Sequence, residues 1–167
     1  MPTTVFSTGA VVNTHAEATL RLPETSKPKV LIVEDHDDSR EMLRILLEMK
    51  SCQVVEACNG HEAVEIANRE QPDLILMDCS LPLLGGLEAT RRIRENARLR
   101  EVLILALSGW GTPSFRAAAL AAGCDECMTK PIDFDDLAIY MAPLFVQCTT
   151  ASVCAGGNEH CPILQLK

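Results

Sequence analysis

The chain predicts a doubly wound α/β domain: five parallel strands with helices on both faces of the sheet. Three observations carry that expectation. Short apolar runs alternate with segments of helical period, the connections between them are short, and the runs end on polar groups rather than fading into loops. The clearest run is Leu74-Ile75-Leu76-Met77-Asp78-Cys79-Ser80-Leu81-Pro82, preceded by Pro72-Asp73. Its apolar residues do not alternate with polar ones, as expected of a strand buried on both faces. Asp78 falls at its C-terminal end, the edge where open α/β sheets bind ligands. Taken alone, an aspartate there reads either as the cap of the next turn or as a reactive group.

The other elements follow in order. Residues 1–27 are rich in Thr, Ser, Ala and Pro, hold no useful period and read as a disordered extension. Lys29 to Val33 forms the first buried strand and runs into Glu34-Asp35. His36 to Lys50 reads as an amphipathic helix, with Met42, Ile45, Leu46 and Met49 at i, i+3, i+4 and i+7 as its packing face. Cys52 to Ala57 is the second strand. Asn59-Gly60-His61-Glu62 resembles a capping box and opens a helix through Arg69, ahead of Pro72. After the Asp78 strand, Gly85-Gly86 turns the chain into a helix over Leu87 to Ala97 that carries Arg91, Arg92 and Arg94 outward. Val102 to Leu107 is the fourth strand, ending at Ser108-Gly109. Thr112-Pro113 supplies an N-cap and a first-turn proline for an Ala-rich helix that stops at Gly123. Cys124 to Met128 is the fifth strand, ending in Thr129-Lys130-Pro131, and Asp133 caps a last helix from Phe134 to about Ala142. The domain spans 28–146, and 147–167 reads as a flexible, Cys-containing tail.

Composition excludes several functions. With 23 acidic against 15 basic residues and a formal charge of −8, the surface repels phosphate backbones, so direct nucleic-acid binding is not expected. No apolar run approaches the ~20 residues of a membrane helix, and residues 1–14 lack the basic start of a secretory signal. The expectation is a cytoplasmic protein without a membrane partner. Of the eight cysteines, Cys52, Cys58, Cys79, Cys124 and Cys127 lie in or beside the strands and read as free, buried thiols. Cys124 and Cys127 have C-x-x-C spacing, but in a strand residues three apart face opposite ways. In the tail, Cys148, Cys154, His160 and Cys161 offer soft ligands at spacings that match no familiar zinc pattern.

The strand ends collect Glu34, Asp35, Asp78, Ser108 and Lys130. In the flavodoxin-like order 2-1-3-4-5 these ends face one pocket. Three carboxylates repel unless a cation lies among them, and hard oxygen donors with room for water suit Mg²⁺. Lys130 and Ser108 supply a positive charge and a hydroxyl, the equipment for holding a phosphoryl group.

Val30-Leu31-Ile32-Val33-Glu34-Asp35, Met77-Asp78 with Pro82 and Gly86, Ser108-Gly109 and Lys130-Pro131 resemble, in order, the motifs of the receiver domain of two-component response regulators, over residues 28–146. The resemblance implies that Asp78 is the phosphoacceptor, taking a phosphoryl group from a phosphohistidine on a sensor histidine kinase or phosphotransfer protein. It implies Mg²⁺ held by Asp35, Asp78 and the backbone carbonyl of Ser80, with Glu34 acting through water. Lys130 would pair with a phosphoryl oxygen, Ser108 would turn to another, and the Lys130-Pro131 bond would be cis. The protein would be a signalling protein rather than an enzyme, with only its own phosphorylation and dephosphorylation to catalyse.

The chain departs from the pattern at Cys127, where receivers carry a Tyr or Phe, and at Leu84-Gly85-Gly86, where the missing acid loosens the loop. Trp110, two residues beyond Ser108, reads either as a control on water access or as a surface aromatic. No output domain is recognised after the receiver. The output is expected from its own surface, through a downstream protein or a self-dimer on the face formed by the fourth helix, fifth strand and fifth helix, because the last helix is uncharged from Leu137 to Val146. Two rival readings remain at this point. A phosphorylation-independent pseudo-receiver would keep the fold and lose the chemistry. A haloacid dehalogenase-like Mg²⁺ phosphohydrolase would need an acid two residues after its nucleophile, where this chain has Ser80.

Overall fold

The computed structural model describes residues 27–150. Its elements are β1 (Lys29–Val33), α1 (Asp37–Met49), β2 (Gln53–Ala57), α2 (Gly60–Glu70), β3 (Leu74–Asp78), α3 (Gly86–Glu95), a 3₁₀ turn (Ala97–Leu99), β4 (Leu103–Ser108), α4 (Pro113–Ala122), β5 (Glu126–Thr129) and α5 (Phe134–Thr150). All strand pairs are parallel, in the order β2-β1-β3-β4-β5 expected from the alternating pattern.

Alternation along the strands builds two cores. Leu31, Val33, Ile75, Met77, Ile104 and Ala106 point to one face, where α2, α3 and α4 contribute Ala63, Ala67, Ala89, Ile93 and Ala119. Val30, Ile32, Leu74, Leu76, Leu105 and Leu107 point to the other, against Leu43 and Leu47 of α1 and Leu137 and Met141 of α5. Every residue of β3 is buried. Caps end the helices as the sequence suggests. Asn59 Oδ1 accepts from Glu62 N at 3.0 Å while the Glu62 carboxylate accepts from Cys58 N at 2.7 Å, and Gly123 takes a left-handed φ of 102°.

Four expectations need correction. In α1 the buried residues are Leu43 and Leu47, while Met42, Ile45 and Met49 are 50%, 46% and 77% exposed. The helix is apolar around so much of its circumference that two packing registers fit the period. The sheet and α5 take the Leu43/Leu47 stripe, and each fully buried leucine contributes roughly 1.5–3 kcal/mol. Arg94 does not point outward. Its guanidinium reaches across to donate to the carbonyls of Leu99, Val102 and Gly123 and to Asp125, fastening α3 to the strand that follows α4. Cys124 precedes β5 rather than lying in it, so strand alternation does not separate it from Cys127, and both thiols pack into the core on the α3/α4 side. Finally, α5 does not stop near Ala142 but carries Pro143 internally and runs to Thr150.

The disordered extension expected over 1–27 falls, apart from Lys27, outside the described residues. So do Cys154, His160 and Cys161 of the tail, where soft ligands were considered. Cys52, Cys58, Cys79, Cys124 and Cys127 are free thiols, Cys58 being exposed rather than buried as expected, and among the described residues no helix is long and apolar enough to cross a membrane.

Candidate phosphoacceptor site at the C-terminal sheet edge

The neighbouring strands β1, β3 and β4 end together, and their parallel register brings Glu34, Asp78 and Ser108 to one rim. All three are nearly inaccessible, at 1%, 3% and 1% exposure. Buried carboxylates need a partner, and Lys130 supplies it: its ammonium donates to Glu34 Oε2 at 2.6 Å and to Asp78 Oδ2 at 2.8 Å. Lys130 is delivered by β5, whose last turn is tied to β4 by Lys130 N donating to Ser108 O at 2.8 Å, and it precedes a cis bond to Pro131. Burial acts to lower the Lys130 pKa, but the hydrogen bonds to Asp78 and Glu34 outweigh it, and the ammonium is held above its ordinary value.

Asp78 keeps its other oxygen on the chain that follows, with Oδ1 accepting from Ser80 N at 2.9 Å. The loop after β3 is anchored rather than loose. Leu81 and Leu84 bury into the α2/α3 core, and Gly86 passes so close to β3 that a Cβ there would lie 2.0 Å from Asp78 O. Only glycine permits that approach, which explains why the chain keeps Gly86 while lacking the acid before it. On the other side of the rim, Ser108 Oγ is occupied by its own loop. It accepts from Trp110 N at 2.9 Å and donates to Trp110 O at 3.3 Å. Trp110 itself is 71% exposed and is flanked by Gly109 and Gly111.

Asp35 stands at the mouth, about a quarter exposed. Among the described residues, one group of three potential metal donors comes together: Glu34, Asp35 and His36, with ligand atoms within 4.8 Å of one another. Asp78 and Ser80 lie outside that group. His36 was passed over in the sequence, where it reads as one more polar residue in an acidic loop. Its Nδ1 lies 3.0 Å from Asp35 Oδ1 and 3.4 Å from Glu34 Oε1, and the Asp35 hydrogen bond raises its pKa. Arg40 was also missed. It donates to Glu34 O at 2.8 Å and pairs with Asp37, holding the end of β1 onto α1. The signal for Arg40 was its place one turn into the helix after the acidic pair.

Three carboxylates with one ammonium leave the rim short of positive charge. The donors are oxygen-rich, and Asp35 opens to solvent, so the set fits a hard divalent cation. Cys79 beside Asp78 is no competitor as a ligand, because burial pushes its thiol pKa up to about 12.

This strand order, with an acidic rim at the C-terminal sheet edge, defines a receiver-type α/β domain. Residues 30–142 match the family model of the response regulator receiver domain, and the chain belongs to that family. Among similar proteins, the polar-differentiation response regulator DivK of Brucella anthropi is 33% identical over 103 residues, covering 62% of this chain and 84% of DivK. The receiver domain of sensor histidine kinase PA1611 from Pseudomonas aeruginosa, solved with a magnesium ion coordinated in its active-site cleft, is 32% identical with a TM-score of 0.66, covering 71% of this chain and 98% of that one. The receiver domain of Ssk1 from Saccharomyces cerevisiae, in a co-crystal with the phosphotransfer protein Ypd1, is 32% identical with a TM-score of 0.63, over 68% of this chain and 85% of that one.

Proposed function

We propose that this receiver accepts a phosphoryl group on Asp78 from the phosphohistidine of a sensor kinase or phosphotransfer protein, and signals through its own surface. The observation that carries the reading is the Lys130 ammonium held between Glu34 and Asp78 at 2.6 and 2.8 Å, at the one rim where buried acids outnumber bases. Asp78 Oδ2 is the nucleophile, and Lys130 is placed to keep contact with a phosphoryl oxygen once Asp78 carries it. Asp35, Asp78 and the Ser80 carbonyl would hold Mg²⁺, with Glu34 beyond a water. The ion would offset the charge of the incoming phosphoryl group. Ser108 would leave Trp110 for another phosphoryl oxygen, moving the β4–α4 loop.

The donor would approach over the rim and along α1, whose exposed Met42, Ile45 and Met49 offer an apolar surface beside it. Output would leave on the α4–β5–α5 face, where Ile139 is 68% exposed. That face would receive a downstream protein or a second copy of the receiver. Light scattering with and without beryllofluoride separates these, since a self-dimer doubles the mass on activation and a receptor for another protein does not. Buried Glu34 and Asp78 sharing the Lys130 ammonium, with Asp35 beside them, favour this reading over a phosphorylation-independent module. Incubation with acetyl phosphate and Mg²⁺ tests it, with phosphate-affinity electrophoresis as the readout. The expected result is an acid-stable, base-labile adduct. No adduct on the wild-type chain, or one that survives Asp78→Asn, would overturn it.

A further inference from the structure

A nitrogen stands among the oxygen donors at the rim: His36 lies with Glu34 and Asp35. His36 is the N-cap of α1, a position whose side chain ordinarily accepts from the helix's first free N–H groups, yet it makes no capping hydrogen bond. Its ring turns back to the acids. Nδ1 lies 3.0 Å from Asp35 Oδ1 and 3.4 Å from Glu34 Oε1. Two donors bound at right angles to one octahedral ion at about 2.1 Å lie about 3 Å apart. The Asp35–His36 separation therefore already suits two ligands of a single ion, while also being that of a hydrogen bond when no ion is bound. The two oxygens of Glu34 divide the rim in the same way, Oε2 meeting Lys130 at 2.6 Å and Oε1 facing His36. The imidazole is 76% exposed, open to an ion arriving from solvent and to the waters that complete its shell.

We propose that His36 is a nitrogen ligand of the rim's metal ion, so that this receiver prefers first-row transition-metal ions, Mn²⁺ among them, to Mg²⁺. The inference rests on the metal-assisted phosphoacceptor reading above. Its chemistry is simple: an imidazole nitrogen adds to the affinity for first-row transition ions, least for Mn²⁺ among them, and adds still less for Mg²⁺, which holds to oxygen. A single histidine beside an Asp/Glu pair thus changes which ion the site selects without altering the acids themselves.

The test uses the full-length protein at pH 8, titrated with Mn²⁺ and with Mg²⁺ alone, in the wild type and in His36→Asn. The exposed position makes that substitution safe for folding, and Asp35→Asn serves as the control that should remove both ions. On replacing His36, the preference for Mn²⁺ over Mg²⁺ is expected to fall about tenfold, with Mg²⁺ affinity changed less than about twofold. Electron spin-echo modulation of the Mn²⁺-loaded wild type is expected to show coupling to a coordinated imidazole nitrogen, and His36→Asn is expected to lose it. Mn²⁺ bound without that coupling, coupling that persists in His36→Asn, or an unchanged ion preference would overturn the assignment of His36 while leaving the phosphoacceptor reading intact. Failure of both ions to bind the wild type would overturn both readings.

Discussion

The two edges of this sheet are made from the same strands yet treat charge in opposite ways. At the N-terminal edge, where β1 and β3 begin, Lys29, Glu70 and Asp73 have near partners. Lys29 Nζ meets Glu70 at 3.1 Å, and Asp73 accepts from Lys29 N at 2.7 Å, in pairs that are partly solvated and locally balanced. At the C-terminal edge Glu34 and Asp78 are buried, Asp35 stands beside them, and Lys130 is the shared cation. A fold that needed only stability would not bury two carboxylates on one ammonium. The imbalance marks the edge where an ion and a phosphoryl group are to be added, and the balanced edge shows what the same sheet does where nothing is added.

The sharpest way to break the comparison is to remove the acceptor. Asp78→Asn is expected to abolish acetyl-phosphate labelling, to the background of the gel, while circular dichroism remains that of the wild type. The next effect is on stability. Lys130→Met leaves Glu34 and Asp78 buried without a counter-charge. Breaking a fully buried pair costs about 3–5 kcal/mol, and because Lys130 is about a third exposed we expect about 2 kcal/mol in urea unfolding. Mg²⁺ should then stabilise the variant more than the wild type, with a ceiling near ~2.7 kcal/mol at a hundredfold excess over its dissociation constant. An equal gain in both proteins would mean that the rim's charge is not what the ion relieves.

Ser108→Ala should act on signalling rather than on acceptance. Labelling of Asp78 is expected to persist within about tenfold, the contribution of a single hydroxyl. The change in Trp110 fluorescence on adding beryllofluoride should disappear, because the hydroxyl that ties the Trp110 backbone to the rim is gone. If the fluorescence change survives in Ser108→Ala, the β4–α4 loop takes its signal from another group.

Much of this was legible in the sequence, for reasons that differ residue by residue. β3 was legible because a strand covered on both faces is an unbroken apolar run, and Asp78 ends it. The convergence of Glu34, Asp78, Ser108 and Lys130 followed from strand order, since parallel strands place all their C-terminal ends together. The packing face of α1 was not legible, because Met42, Leu43, Ile45, Leu46, Leu47 and Met49 satisfy more than one helical stripe and only the sheet decides. Arg94 was misread because a basic residue on a polar helix face carries no mark of the carbonyls of Leu99, Val102 and Gly123 that collect near it. His36 was passed over because its role depends on the direction of a ring, which a loop of acids does not reveal. Cys124 was placed inside a strand that begins two residues later, at Glu126, so the alternation used to separate it from Cys127 does not reach it.

The smallest effect belongs to the balanced edge, and it guards the comparison against a trivial explanation. Lys29→Ala removes an ion pair whose partners are each about a quarter exposed. Such pairs contribute ~0–1 kcal/mol, so the midpoint of urea unfolding should shift only slightly. The Lys29 backbone N–H remains to donate to Asp73, and the register of β1 against β3 is carried by the strand hydrogen bonds, so the opposite rim should keep its geometry. Acetyl-phosphate labelling and Mg²⁺ affinity are therefore expected to match the wild type. A loss of labelling in Lys29→Ala, at nearly unchanged stability, would mean that the two edges are coupled along the strands, and that the charge imbalance at Asp78 cannot be treated as a property of its own rim.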